Sequence, residues 1–139
     1  MYGYVLIAHG AWRWLVLAAG AAAVASALHG LARHAPWQPV AARWGRLFGI
    51  AVDIQALMGA ALYFLLSPLT TGPAGTDPYF GVTHAATMAG ALVAVHVSAR
   101  LIRRGRSDRA RQRRAALFYG LTFLILLGGI PWWRPLLRL

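Results

Sequence analysis

Five side chains in this 139-residue sequence can do more than pack: His9, Arg13, Asp53, His84 and His96. Imidazoles ligate metals and relay protons, a carboxylate accepts hydrogen bonds, and a guanidinium holds an anion. All five stand inside long apolar runs. His9 and Arg13 are four residues apart in His9-Gly-Ala-Trp-Arg-Trp14. On a helix that spacing is one face and one turn, about 6 Å along the axis. Ionisable groups in hydrocarbon are expensive, and they face a partner, a cofactor or a water-filled cavity. The elements that must supply such partners follow from the rest of the chain.

Hydrophobic residues make up 59% of the sequence and the mean hydropathy is +0.55. A soluble domain of this length is less apolar, so the composition points to a membrane protein and excludes a soluble enzyme. All fourteen basic residues are arginine, and the acids are Asp53, Asp77 and Asp108. Because the arginines fall between the apolar runs, the positive-inside rule accounts for the basic charge without nucleic acid. The absence of cysteine excludes disulfides, thiolate metal sites, iron–sulfur clusters and covalent c-type haem. With no glutamate there is no HExxH metallohydrolase motif, and no Ser–His–Asp arrangement is recognisable. Met58 and Met88 are not spaced as a relay, so a metal-handling transporter ranks lowest among the functional readings.

The sequence reads as one membrane domain over residues 1–139 with four spans, an all-α, up-and-down transmembrane four-helix bundle. The first span runs from about Tyr4 to about Leu31. Its Ala25-Ser26-Ala27 mimics a signal-peptide cleavage site, but no basic segment precedes it and Arg13 interrupts its apolar core. It therefore reads as a retained helix. A loop with two prolines, Arg33 to Pro39, leads to a second span from about Ala41 to Ser67. Ser67 to Phe80 reads as a Gly/Pro/Thr-rich loop, and a third span runs from about Gly81 to Ile102. Residues 103–114 form an arginine-rich loop, and the fourth span runs from about Ala115 to Ile130. Pro131-Trp132-Trp133-Arg134 ends it as an interfacial belt. Arginines flank the first and third loops, not the second. Those loops are therefore expected on the cytoplasmic side of a bacterial inner membrane, with both termini outside.

Counting about 1.5 Å per residue from each span's middle sorts the polar groups into two layers. His9 and His84 share an outer level, while Asp53 and His96 share a deeper one. Two imidazoles facing each other across a bundle are a natural axial pair for a haem iron. A b-type haem between helices one and three is therefore expected, with His9 and His84 as iron ligands. Arg13 lies between the layers, within reach of a haem propionate above or Asp53 below. Asp53 and His96 read as a hydrogen-bonded or ionic pair. Gly10, Gly20, Gly49, Gly59 and Gly90 could admit a flat macrocycle, but helix packing through small residues explains most of them as well.

At these residues the chain resembles a family of small four-helix membrane proteins described as cytochrome-b-like. The matching pieces are His9-x-x-x-Arg13-Trp14, Asp53-Ile54-Gln55-Ala56-Leu57-Met58-Gly59 with Leu62-Tyr63-Phe64, Thr83-His84, Val95-His96 and Gly129-Ile130-Pro131-Trp132. The resemblance covers nearly the whole chain. It implies a di-haem arrangement in which a histidine precedes the Ile-Gln pair and makes a second ligand pair with His96. This chain has Asp53 there, which puts the inner haem in doubt and leaves His9/His84 as the candidate site. The resulting expectation is an electron carrier without independent catalytic activity, exchanging electrons with a quinone or a protein partner. The alternative is a cofactor-free accessory subunit of a larger respiratory or photosynthetic membrane complex. An absorption spectrum separates the two.

Overall fold

The structure is a computed structural model that describes residues 1–66 and 77–133. It contains four helices and, among the described residues, no strand. Helix α1 spans Tyr2–Ala32 and α2 spans Pro39–Ala61, continued by a π-helical turn over Leu62–Leu66. A second π-helical segment, Tyr79–His84, leads into α3 at Ala85–Arg103, and α4 spans Asp108–Gly129. The expected all-α four-helix bundle is therefore the observed fold. The Ser67–Phe80 loop falls largely in residues 67–76, which lie outside the described residues, as does Arg134.

Local chemistry sets the ends of the helices. After α1, the amide of Ala35 donates to the Gly30 carbonyl and that of His34 donates to Leu31. This is the Schellman closure, normally built on glycine, here with His34 at φ +52°. Pro39 opens α2 at a position where a missing amide hydrogen costs nothing. Ser107 caps α4, its hydroxyl accepting from the Ala110 amide at 3.2 Å, and Asp108 complements the positive end of the helix dipole. The arginine-rich segment is consequently shorter as a loop than its composition predicts. Residues 108–114 form the first two turns of α4, because a capping serine followed by an acid starts a helix whatever the charge behind it.

Around the bundle α1 packs on α2 and α4, and α3 packs on α4 and α2, so α1 and α3 stand diagonally. The α2/α3 seam is the least closely packed of the four. The core is built largely from small residues, Ala19, Ala23, Ala27, Ala51, Ala91 and Ala115, around the fully buried Phe48. Phe48 meets Tyr119 edge-on with ring centroids 5.8 Å apart. Space for these rings comes from glycine: a Cβ on Gly45 would lie 2.6 Å from Tyr119 Oη, and one on Gly20 would lie 2.7 Å from Phe123 and 2.8 Å from Phe48. Gly20 therefore serves helix packing, while a Cβ on Gly49 or Gly90 would meet nothing within 4 Å.

The outer surface is apolar. Leu15, Leu28, Ile50, Leu57, Val93 and Leu124 are all exposed. Small residues inside and large aliphatic ones outside is the arrangement of a bundle whose solvent is lipid. Tyr2–Ala32, Pro39–Leu66 and Tyr79–Arg103, of 31, 28 and 25 residues, are each long and apolar enough to cross a bilayer. In α4 the apolar part begins at Ala115, after the two arginine-bearing turns.

Candidate functional site

The polar groups gather at the end of the bundle where both π-helical segments lie. A π turn inserts an extra residue per turn and re-aims the side chains next to it, and such turns recur at functional sites. Here Tyr63, in the first segment, donates its hydroxyl to the Gly81 carbonyl in the second at 2.8 Å. The tie holds the start of the third helical rod against the end of α2.

His84 closes the second π segment. Its Nδ1 donates to the carbonyl of Gly129 at 2.8 Å. That carbonyl is free to accept because α4 stops there: Ile130 is extended, so the helix does not continue to a donor four residues on. Tyr79 Oη donates to the same oxygen at 2.9 Å. Thr87 and Met88 pack where a Gly129 side chain would begin, so a glycine is needed for the approach. An imidazole whose Nδ1–H is held by a backbone carbonyl presents Nε2 as a lone pair, the usual orientation of a ligating histidine.

His9 is positioned by α2. Gln55 Nε2 donates to both His9 Nε2 and the His9 carbonyl, each at 3.1 Å. Gly59 lies one turn further along, and its hypothetical Cβ would stand 3.2 Å from the His9 ring. Gln55 and Gly59 of α2 are thus the seat of the α1 histidine. One nitrogen of His9 is engaged by Gln55. The other, Nδ1, is buried without a hydrogen-bond partner, and so is Gln55 Oε1. Buried polar groups are almost always paired, and these two exceptions, on side chains bonded to each other, single out this place in the bundle.

The structure brings the His9 and His84 rings together edge-on across the bundle diagonal, with centroids 6.5 Å apart and planes at 76°. Two imidazoles on opposite sides of one metal ion, at ~2.0–2.1 Å from each ligating nitrogen, have centroids about 6.4 Å apart, whereas a tetrahedral angle at the metal brings them to about 5 Å. The two imidazoles and the orphaned nitrogen are a donor set that could take a metal or haem iron between opposed ligands. Tyr79 and Phe80 flank the His84 ring at 5.9 and 5.6 Å.

Asp53 and His96 also meet, Nε2 to Oδ1 at 2.8 Å, on the α2/α3 seam and away from the His9–His84 pair. Because His96 Nε2 is occupied by a carboxylate, the candidate ligand site is built on the other two histidines. Arg13 donates from Nε to Gly10 O at 3.1 Å and its guanidinium lies 5.9 Å from the Trp14 ring. Reading the sequence passed over Gln55, Tyr79 and the Gly129 carbonyl as site groups. A glutamine inside an apolar span was the available signal for the first, and a Gly-Ile-Pro helix end for the last. No family model, curated protein or solved structure matches this chain.

Proposed function

We propose that this chain is an integral-membrane electron-transfer protein that binds a b-type haem between α1 and α3, with His9 and His84 as the iron ligands. One observation carries the reading: two histidines on diagonal helices stand with ring centroids 6.5 Å apart, and each has one nitrogen held by the protein and the other uncommitted. When bound, haem supplies a one-electron couple whose potential is set by its axial ligands and their hydrogen bonds. The chain's own groups prepare for it. Gly129 O fixes the His84 tautomer, and Tyr79 steadies that acceptor. Gln55 fixes the rotation of the His9 ring through Nε2 and holds the α1 backbone through the carbonyl. Arg13, one turn from His9, brings positive charge to the edge of the site.

The arginine distribution supports a multi-pass orientation in a bacterial cytoplasmic membrane, with residues 103–114 inside and both termini outside. The haem layer then lies toward the outer face, where an electron delivered by a quinone or a larger redox complex would leave. No independent catalysis is assigned. The test is the absorption spectrum of protein purified from haem-replete cells. A Soret band is expected that is lost in His84→Ala and in His9→Ala. A folded, colourless preparation would overturn the reading in favour of a cofactor-free subunit of a larger respiratory or photosynthetic assembly.

A further inference from the structure

The Asp53–His96 pair is out of place for a lone bundle in lipid. Its two side chains are 43% and 56% exposed respectively, on a surface otherwise lined with aliphatic residues. Asp53 is seven residues from Arg46 and His96 is seven from Arg103, about 10 Å deeper than the arginine belt at helical rise. At that depth charged groups face protein or a water-filled cavity, and acyl chains offer them nothing to bond. The pair is also half used. Asp53 Oδ1 and His96 Nε2 bond to each other, which leaves Oδ2 as a further acceptor and Nδ1 as the ring's second polar atom.

We propose that this α2/α3 face is covered by a second copy of the chain. Across a two-fold axis His96 Nδ1 of one copy meets Asp53 Oδ2 of the other, and the reverse contact follows by symmetry. Two carboxyl groups and two imidazoles then alternate in a closed ring, with both oxygens and both ring nitrogens of each pair engaged. The commitment to a second copy rests on this self-complementarity, which an isologous interface requires and an unrelated partner would have to imitate. The neighbouring surface of α3 suits close approach. Ala86, Ala89 and Gly90 are exposed there, and a Cβ on Gly90 would meet nothing within 4 Å. Small residues on a lipid-facing helix let a second backbone come near.

The chain has no cysteine, so single cysteines report contacts cleanly. Val93 is exposed one turn from His96 on the same face, and Leu124 is exposed on α4, away from the seam. Full-length Val93→Cys, oxidised in native membranes, is expected to give a disulfide-linked species of twice the 15.0 kDa chain mass, and Leu124→Cys is not. Adding Asp53→Leu to Val93→Cys should cut the linked fraction at least five-fold. Exchanging the pair, Asp53→His with His96→Asp, keeps the ring and should restore it. Equal linking with and without Asp53→Leu would overturn the proposal. So would Val93→Cys that remains single or links only to a different polypeptide. None of these readouts depends on bound haem.

Discussion

His9 shows what a single residue gains from its neighbours. Its Nε2 and its carbonyl are both held by Gln55, a bond pair that crosses from α1 to α2. Interhelical polar contacts in membranes contribute modestly, because the unfolded state in lipid also finds partners. Gln55→Leu should therefore lower thermal stability in detergent by only about 0.6–1.7 kcal/mol. Its effect on the site should be larger than its effect on the fold. With nothing left to hold the His9 ring, the proposed haem binding should weaken markedly while circular dichroism at 222 nm is retained. Parallel loss of both signals would mean that Gln55 is structural alone.

At the scale of elements, the ends of the helices matter as much as their faces. The end of α4 at Gly129 creates the carbonyl that orients His84, and the π segments carry Tyr63, Tyr79 and His84 to one level. The close of α1 is the fold's one described positive-φ residue outside glycine, His34. A residue with a Cβ is disfavoured there, so His34→Gly should raise stability by about 0.5–1 kcal/mol, seen as a higher melting temperature. A lower melting temperature would show that the imidazole makes a contact worth more than the backbone cost.

For the whole molecule, the question is how a bundle with small residues inside and large aliphatic ones outside sits in its solvent. Eight arginines between Arg100 and Arg114 stand at one end, together with Arg43 and Arg46. The orientation proposed above puts this end in the cytoplasm. A cysteine at Arg106, in the turn before α4, should accept a membrane-impermeant thiol reagent in inverted vesicles and not in intact cells. The opposite pattern would reverse the orientation and move the His9/His84 layer to the inner face.

How much of this was legible beforehand follows from which forces act locally. Apolar runs, arginine punctuation and the prolines determined four helices in order, because hydrophobic length and backbone restriction are properties of the segment itself. Depth counting also placed His9 level with His84 and Asp53 level with His96, since helical rise is nearly constant. What depth cannot supply is azimuth. That Gln55 holds His9, that a helix-end carbonyl holds His84, and that the Asp53–His96 pair faces outward rather than into the core depend on how each helix is rotated. Rotation is set by packing, by Phe48 and Tyr119 filling the spaces at Gly20 and Gly45 and by Gly129 admitting Thr87 and Met88. The start of α4 shows the same division in reverse. A run of arginines reads as loop by composition, yet Ser107 and Asp108 begin a helix through bonds no hydropathy pattern records. The sequence alone determined which groups share a level of the membrane. Only the tertiary structure decided which of them turn toward one another, because that choice belongs to side chains packed across helices far apart in the chain.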